Sequence, residues 1–146
     1  MTEAPLRQIQ GRLVIGTQGA GFTDLSQKLG AWLRDSGCGD GLVSVFVRHT
    51  SASLTIQENA DPSVLADLAD ALDRLAPREM AYRHRTEGPD DMPAHIRSML
   101  TSTSVQIPVA DGTALLGTWQ ALYLIEHRDE PHRREIVLHF IGTIGR

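Results

Sequence analysis

The sequence predicts an α+β domain with a largely antiparallel sheet system, and three observations lead there. A length of 146 residues suits one domain with one core, and 41% hydrophobic with 22% charged residues is an ordinary globular balance. Short apolar runs of strand length recur along most of the chain. Only three segments have the pattern of a helix, and they do not alternate regularly with the strands as βαβ units would.

The elements follow in order. Leu6 to Thr17 reads as a strand, with Ile9, Leu13 and Ile15 among polar neighbours, and Gly19-Ala20-Gly21 breaks it. Thr23 or Asp24 can cap a helix that carries Leu25, Leu29, Trp32 and Leu33 on one face, and Gly37 ends it. Leu42 to Val47 is nearly continuous in apolar residues, the pattern of a strand buried on both faces. Ser53 to Gln57 alternates, with Leu54 and Ile56 on one side and Ser53 and Thr55 on the other, as in a half-buried strand. Asp61-Pro62 is a helix start, with Asp as N-cap and Pro in the first helical position. Leu65, Leu68, Ala69, Leu72 and Leu75 then recur at helical spacing until Pro77 stops the helix. Tyr82 to Asp91 is polar and rich in turn residues, and Pro93 opens a short helix through about Leu100. Val105 to Val109, the Asp111-Gly112 turn and Leu115 to Ile125 predict a hairpin followed by a long strand, and Ile136 to Ile141 the last strand. Residues 1–5 are expected to form a flexible N-terminus and residues 6–146 one domain.

The bulk properties exclude several classes. A net charge of −4 lacks the basic surface that a general nucleic-acid binder needs to neutralise phosphates. No apolar run approaches the ~18 residues of a membrane helix, and Met1 to Gln10 lacks the apolar core of a signal peptide. The cytoplasm is therefore the expected compartment. The lone cysteine, Cys38, has no partner for an intramolecular disulfide or a CxxC metal pair and reads as a small residue in a glycine-rich turn.

Three polar stretches can carry chemistry. The first is Arg48-His49-Thr50-Ser51-Ala52-Ser53, followed by Glu58-Asn59-Ala60-Asp61-Pro62; the second runs from His84 through Glu87-Gly88-Pro89-Asp90-Asp91 to His95; the third is Glu126-His127-Arg128-Asp129. Each also has a plainer account. His49 can be a satisfied histidine at a strand end, and the hydroxyls of Thr50, Ser51 and Ser53 can bond neighbouring backbone. Asp90 or Asp91 can cap the next helix, and Glu126, His127 and Arg128 can be a solvated strand end. The functional account rests on the combination. Imidazole is a common metal ligand, and three ligands leave an open position. His84, His95 and His127 come from separate segments and can meet if the strand ends converge. Asp91 and His95, four apart, can share a helix face. No HExxH or HxxxH motif is present.

The run His49-Thr50-Ser51-Ala52-Ser53-Leu54-Thr55-Ile56, with Glu58-Asn59-Ala60-Asp61-Pro62, closely resembles the YjbQ-like proteins, described as secondary thiamine-phosphate synthases. The likeness continues through Glu87-Gly88-Pro89-Asp90-Asp91-Met92-Pro93-Ala94-His95-Ile96 and returns at Leu116-Gly117-Thr118-Trp119-Gln120 and at Glu126-His127-Arg128. It extends from about Leu6 to Gly142. The resemblance implies an α+β fold with a β-sandwich-like core, a homotrimer, and a metal or anion site near the shared histidines. The activity it implies joins an aminopyrimidine diphosphate to a thiazole phosphate with release of pyrophosphate. On this basis His84, His95 and His127 are expected to hold a divalent metal, zinc or magnesium. His49 is expected to do acid–base work, with Glu58 or Asp91 orienting a histidine, and Thr50, Ser51, Ser53 and Arg128 are expected to bind the phosphorylated substrate. A metal-dependent hydrolase of a phosphorylated small molecule, and a non-catalytic trimer that binds a metal or metabolite, are the alternatives.

Overall fold

The computed structural model describes residues 3–145, so Met1 and Thr2 of the expected flexible terminus, and Arg146, lie outside the described residues. In chain order the elements are β1 (Arg7–Thr17), β2 (Gly21–Asp24), α1 (Ser26–Asp35), β3 (Cys38–Val47), β4 (Ala52–Glu58) and α2 (Pro62–Leu75). They continue with α3 (Asp91–Leu100), β5 (Ser104–Ala110), β6 (Thr113–Ala114), β7 (Gln120–Glu126) and β8 (His132–Ile144). A five-stranded sheet runs in the order β1-β8-β3-β5-β6 and a three-stranded sheet in the order β2-β7-β4. All the pairings are antiparallel. The α+β class and the largely antiparallel core are thus as the sequence predicts. No helix among the described residues is long and apolar enough to cross a membrane.

One apolar core joins the two sheets. Val43, Val45 and Val47 of β3, Ile136, Leu138 and Phe140 of β8, and Ile107 and Val109 of β5 meet Leu54 of β4 and Leu122 and Leu124 of β7. Leu29 and Leu33 of α1 belong to the same cluster. The alternation in β3 corrects one expectation. Leu42 and Phe46 are exposed at 38% and 47%, so this strand is buried on one face only. The long strand expected over Leu115 to Ile125 also divides. Its first part leaves the ladder after the two-residue β6, and only Gln120–Glu126 forms β7, in the other sheet. Thr23 and Asp24 fall in β2 rather than capping α1, although the Asp24 carboxylate still accepts from Ser26 N at 2.8 Å. Cys38 is buried as the first residue of β3 rather than lying in a turn.

Asp61 does cap α2, its side chain accepting from Ser63 N at 2.9 Å, with Pro62 next. Yet no residue of α2 is buried. Its apolar side lies beside the three-stranded sheet and leaves an apolar cleft of about 230 Å³ lined by Phe22, Leu68, Leu72, Leu75 and Ile125. The helix that matters for the site is α3. It buries Asp91, Pro93, Ala94, Arg97 and Ser98, and a bridge from Leu54 to Ser102 just beyond its end ties it to β4.

The ladder between β3 and β8 is tightest where Gly41 faces Gly142. A Cβ on Gly142 would lie 2.1 Å from the Asp40 carbonyl oxygen and 2.7 Å from the Phe140 ring. Gly142→Ala is therefore expected to cost about 1–3 kcal/mol, the range for forcing extra atoms into a packed site. Gly16→Ala in β1 meets nothing within 4 Å and is the control. Equal urea midpoints for the two variants would contradict this account of the glycine pair.

Candidate functional site

Strand β7 delivers Glu126 to the interior, where it is 3% exposed. Its carboxylate accepts from Arg134 Nε at 2.7 Å and from Arg134 Nη2, from Thr17 Oγ1 at 2.6 Å and from Arg128 N at 3.1 Å. Burial on its own would raise the Glu126 carboxyl, but these donors outweigh it and hold the group below its usual value. Arg134 also reaches Ser51, whose Oγ accepts at 3.0 Å. The next residue, His127, is 2% exposed. Its Nε2 lies 2.8 Å from Ser53 Oγ, which in turn accepts from Thr101 Oγ1 at 2.5 Å. Burial, with the Arg97 charge adding to it, pushes the imidazole down to about 4.

A second group forms where the segment between α2 and α3 meets the start of α3. Asp91 opens that helix and His95 follows one turn later, on the same face. Asp91 Oδ2 lies 2.9 Å from His84 Nε2 and 3.4 Å from His95 Nε2, and ligand atoms of the three residues lie within 4.8 Å of one another. Asp91 Oδ2 is buried, yet accepts no hydrogen bond. The other oxygen, Oδ1, accepts from Arg128 Nη1 at 3.0 Å. Arg128 also donates from Nε to Asp90 Oδ2 at 2.9 Å and from Nη2 to the Glu87 carbonyl at 3.0 Å. The Asp90 carboxyl, which burial would raise, is held low by Arg128 and by Asp129 N. Gly88, at φ +99°, provides the turn that lets this segment wrap the guanidinium.

The expected site residues therefore separate. His84 and His95 come together as expected, with Asp91 beside them as a third donor. His127 is not of that group: its Nε2 is used by Ser53 inside the protein. Arg128 is not a free phosphate fork, since Asp90, Asp91 and the Glu87 carbonyl hold it. Ser51 and Ser53 serve Arg134, His127 and Thr101, while Thr50 is exposed in the loop after β3. His49 Nε2 accepts from Glu135 N at 2.8 Å, so its proton sits on Nδ1, and burial lowers its pKa. Glu58 ends β4 at the opposite end from Ala52, the residue that pairs with Glu126. At ~3.3 Å per strand residue that is about 20 Å away, and its carboxylate accepts instead from Asp61 N at 3.2 Å. Sequence reasoning missed Arg134, and it weighed Asp90 as a helix cap, whereas its carboxylate makes no cap bond and holds Arg128 instead. Arg134 had one available signal: it sits at an inward position of the last strand, two residues before Ile136.

Comparison with known proteins places the chain. The family model described as "UPF0047 protein YjbQ-like" matches residues 12–143. The UPF0047 protein sll1880 of Synechocystis is 54% identical over 142 residues, which cover 97% of each chain. A conserved hypothetical protein of Thermus thermophilus, solved as a crystal structure, is 37% identical with a TM-score of 0.78, covering 92% of this chain and 99% of its own. A YbjQ-like protein of Sulfolobus solfataricus shares the fold at a TM-score of 0.87 with 18% identity, over 95% of this chain and 100% of its own. The chain belongs to the YjbQ-like UPF0047 family.

The buried histidine gives a pH prediction. Its folded value of about 4 lies below the ordinary 6.5. The neutral form is favoured by folding, so the stabilisation is whole above pH 6.5 and is lost as pH falls toward 4. At 1.36 kcal/mol per unit it amounts to about 3 kcal/mol, of which about 2 kcal/mol should be gone by pH 5. Urea unfolding at pH 7.5 and pH 5 should show this loss in the parent and a flatter response in His127→Gln. Equal pH dependence in the two proteins would contradict a buried neutral His127.

Proposed function

We propose that this YjbQ-like protein is a divalent-metal enzyme acting on a small phosphorylated molecule, with His84, Asp91 and His95 as the metal's ligands. The observation that carries the reading is Asp91 Oδ2, a buried carboxylate oxygen that accepts no hydrogen bond although two imidazole nitrogens crowd it at 2.9 and 3.4 Å. An unsatisfied buried oxygen is costly, and one shared cation would satisfy all three donors at once. Two imidazoles with one carboxylate form a set that binds zinc and leaves a position open. The two nitrogens favour a zinc-like ion over magnesium, which prefers oxygen ligands.

Such an ion supplies Lewis-acid polarisation of a phosphoryl oxygen and acidifies water. The chain's own groups set the stage. Arg128 grips Asp91 Oδ1 and leaves Oδ2 to the histidines, and Asp90 neutralises the rest of the guanidinium. The His84 side chain is 48% exposed and that of His95 37%, so the site opens to solvent. That openness favours hydrolysis, since water has free access. A second reading, the transfer of an aminopyrimidine from its diphosphate to a thiazole phosphate, is supported by the resemblance of the sequence motifs to the YjbQ-like proteins. There the leaving pyrophosphate develops the charge to be stabilised.

One assay separates the readings. Zinc-loaded protein is incubated with each phosphorylated compound alone and with the two thiamine precursors together. Phosphate release from a single compound supports hydrolysis. Thiamine phosphate formed only from the pair supports transfer. Stoichiometric zinc without turnover of any compound supports a binding protein and counts against an enzyme. The homotrimer belongs to the same proposal, association covering exposed Leu42, Phe46 and Ile141 on the five-stranded sheet. Light scattering that found a monomer at micromolar concentration would remove it.

The ligand set makes its own prediction. Asp91→Asn and His95→Ala should lose stoichiometric zinc, while His127→Gln keeps it. Arg128→Lys should bind zinc about 10–100-fold more weakly, the usual loss when the group behind a ligand is altered. Parental zinc content in Asp91→Asn and His95→Ala would overturn the metal reading.

A further inference from the structure

The cavity beside His84 has a chemical character of its own. It measures about 370 Å³ and is lined by Arg78, Met80, Tyr82, His84, Arg85 and Met92, with Gly88 and Pro89 nearby. That is within the size range of small-molecule sites, about 300–1,000 Å³. Its two arginines are not equivalent. Arg78 is spent on Asp129, donating to both carboxylate oxygens at 2.7 and 2.5 Å. Arg85 has no hydrogen-bond or ion-pair partner among the described residues. The neighbouring arginines are committed too: Arg128 to Asp90 and Asp91, Arg134 to Glu126, and Arg97 to Asp73. Of the two arginines that line the cavity, Arg85 is therefore the one whose charge no carboxylate among the described residues compensates. It stands next in sequence to His84, and both line the same cavity.

The other walls are apolar. Met80 keeps 59% of its surface in water at this rim, and Met92 lies on the first turn of α3. The Tyr82 hydroxyl is occupied by the Pro77 carbonyl at 2.6 Å, so the tyrosine offers the cavity its ring. Thioethers and an aromatic face suit a flat, weakly polar group.

We propose that this cavity is the substrate subsite, in which Arg85 holds the phosphate of a phosphate ester while Met80, Tyr82 and Met92 hold a flat ring. It rests on the metal reading for one point only, that the reacting end of the ligand faces His84. A planar guanidinium fork matches phosphate oxygens, and an Arg with no internal carboxylate gives up only water when it binds. Thr50, Ser51, Ser53 and Arg128 need not be invoked for the anion.

The test is calorimetry on the full chain, with and without zinc, using phenyl phosphate and inorganic phosphate as probes. Phenyl phosphate should bind more tightly than inorganic phosphate. Arg85→Met should weaken both by about tenfold or more, the scale of a lost charge-assisted hydrogen bond, with zinc content unchanged, and Arg85→Lys should recover part. Met80→Ala combined with Met92→Ala should weaken phenyl phosphate and spare inorganic phosphate. Parental phenyl phosphate affinity in Arg85→Met overturns the subsite. Protein that takes up no zinc but binds phenyl phosphate through Arg85 overturns the metal reading and leaves the subsite standing. Stoichiometric zinc without phenyl phosphate binding does the reverse.

Discussion

The polar end of this molecule depends on one buried ion pair, Glu126 with Arg134. Both side chains are almost fully buried, at 2% and 4% exposure. Removing such charges from water costs several kcal/mol each, and the pair survives because further bonds complete it. Thr17, at the end of β1, donates to the carboxylate, and Ser51, in the loop before β4, accepts from the guanidinium. One interaction thus joins β1, β7, β8 and the loop that leads into β4. It links the five-stranded sheet to the three-stranded one where the apolar core gives way to polar groups. Neither partner can be removed alone without leaving the other charged and unpaired.

The candidate site is built outward from that pair. Arg128 N donates to Glu126 Oε2, which sets the direction in which the chain leaves β7. The Arg128 side chain then reaches Asp90, Asp91 and the Glu87 carbonyl, and so fastens the segment before α3. Asp91 in turn faces His84 and His95. The histidines are partly exposed, whereas Asp91 directly behind them and Glu126 at the root of these contacts are buried. Mobile side chains at a surface acquire a defined arrangement in this way, from a backing whose own rotamers are fixed by packing and charge.

Much of the fold was legible because its signals are local. Asp61-Pro62 announces α2 through capping chemistry that involves only neighbouring residues, and the apolar periods of β1, β4 and β8 need no knowledge of partners. The site was legible in part. The four-residue spacing of Asp91 and His95 on one helix places two donors together, and the clustering of polar motifs pointed to His84. What could not be read depended on how strands end in space. His127 and Arg128 are adjacent in sequence, yet successive residues leaving a strand point to opposite sides. One therefore enters the interior beside Ser53 and the other reaches outward to Asp90. The metal set of three histidines failed for that reason. Glu58 failed for another: its strand runs away from Glu126, a direction that sequence pattern does not specify.

Charge accounting explains why the arrangement suits an anion even though the chain is acidic. Net charge is −4, which on its own disfavours a phosphorylated ligand, but exposed charges are screened beyond a Debye length of about 8 Å at physiological salt. Local sign then decides. Around α3 and the end of β7, Arg78, Arg97, Arg128 and Arg134 are each matched to a carboxylate: Asp129, Asp73, Asp90 with Asp91, and Glu126. Those pairs nearly cancel and act as structure. Asp91 is matched by Arg128 on Oδ1, while its Oδ2 stays without a hydrogen bond between His84 and His95. Against that background the unmatched guanidinium of Arg85 gives the cavity wall its positive charge, and a divalent ion beside His84 would add to it with the same sign. In the proposed subsite, preference for an anion would follow from which charges are already spent, rather than from how many positive charges the chain contains.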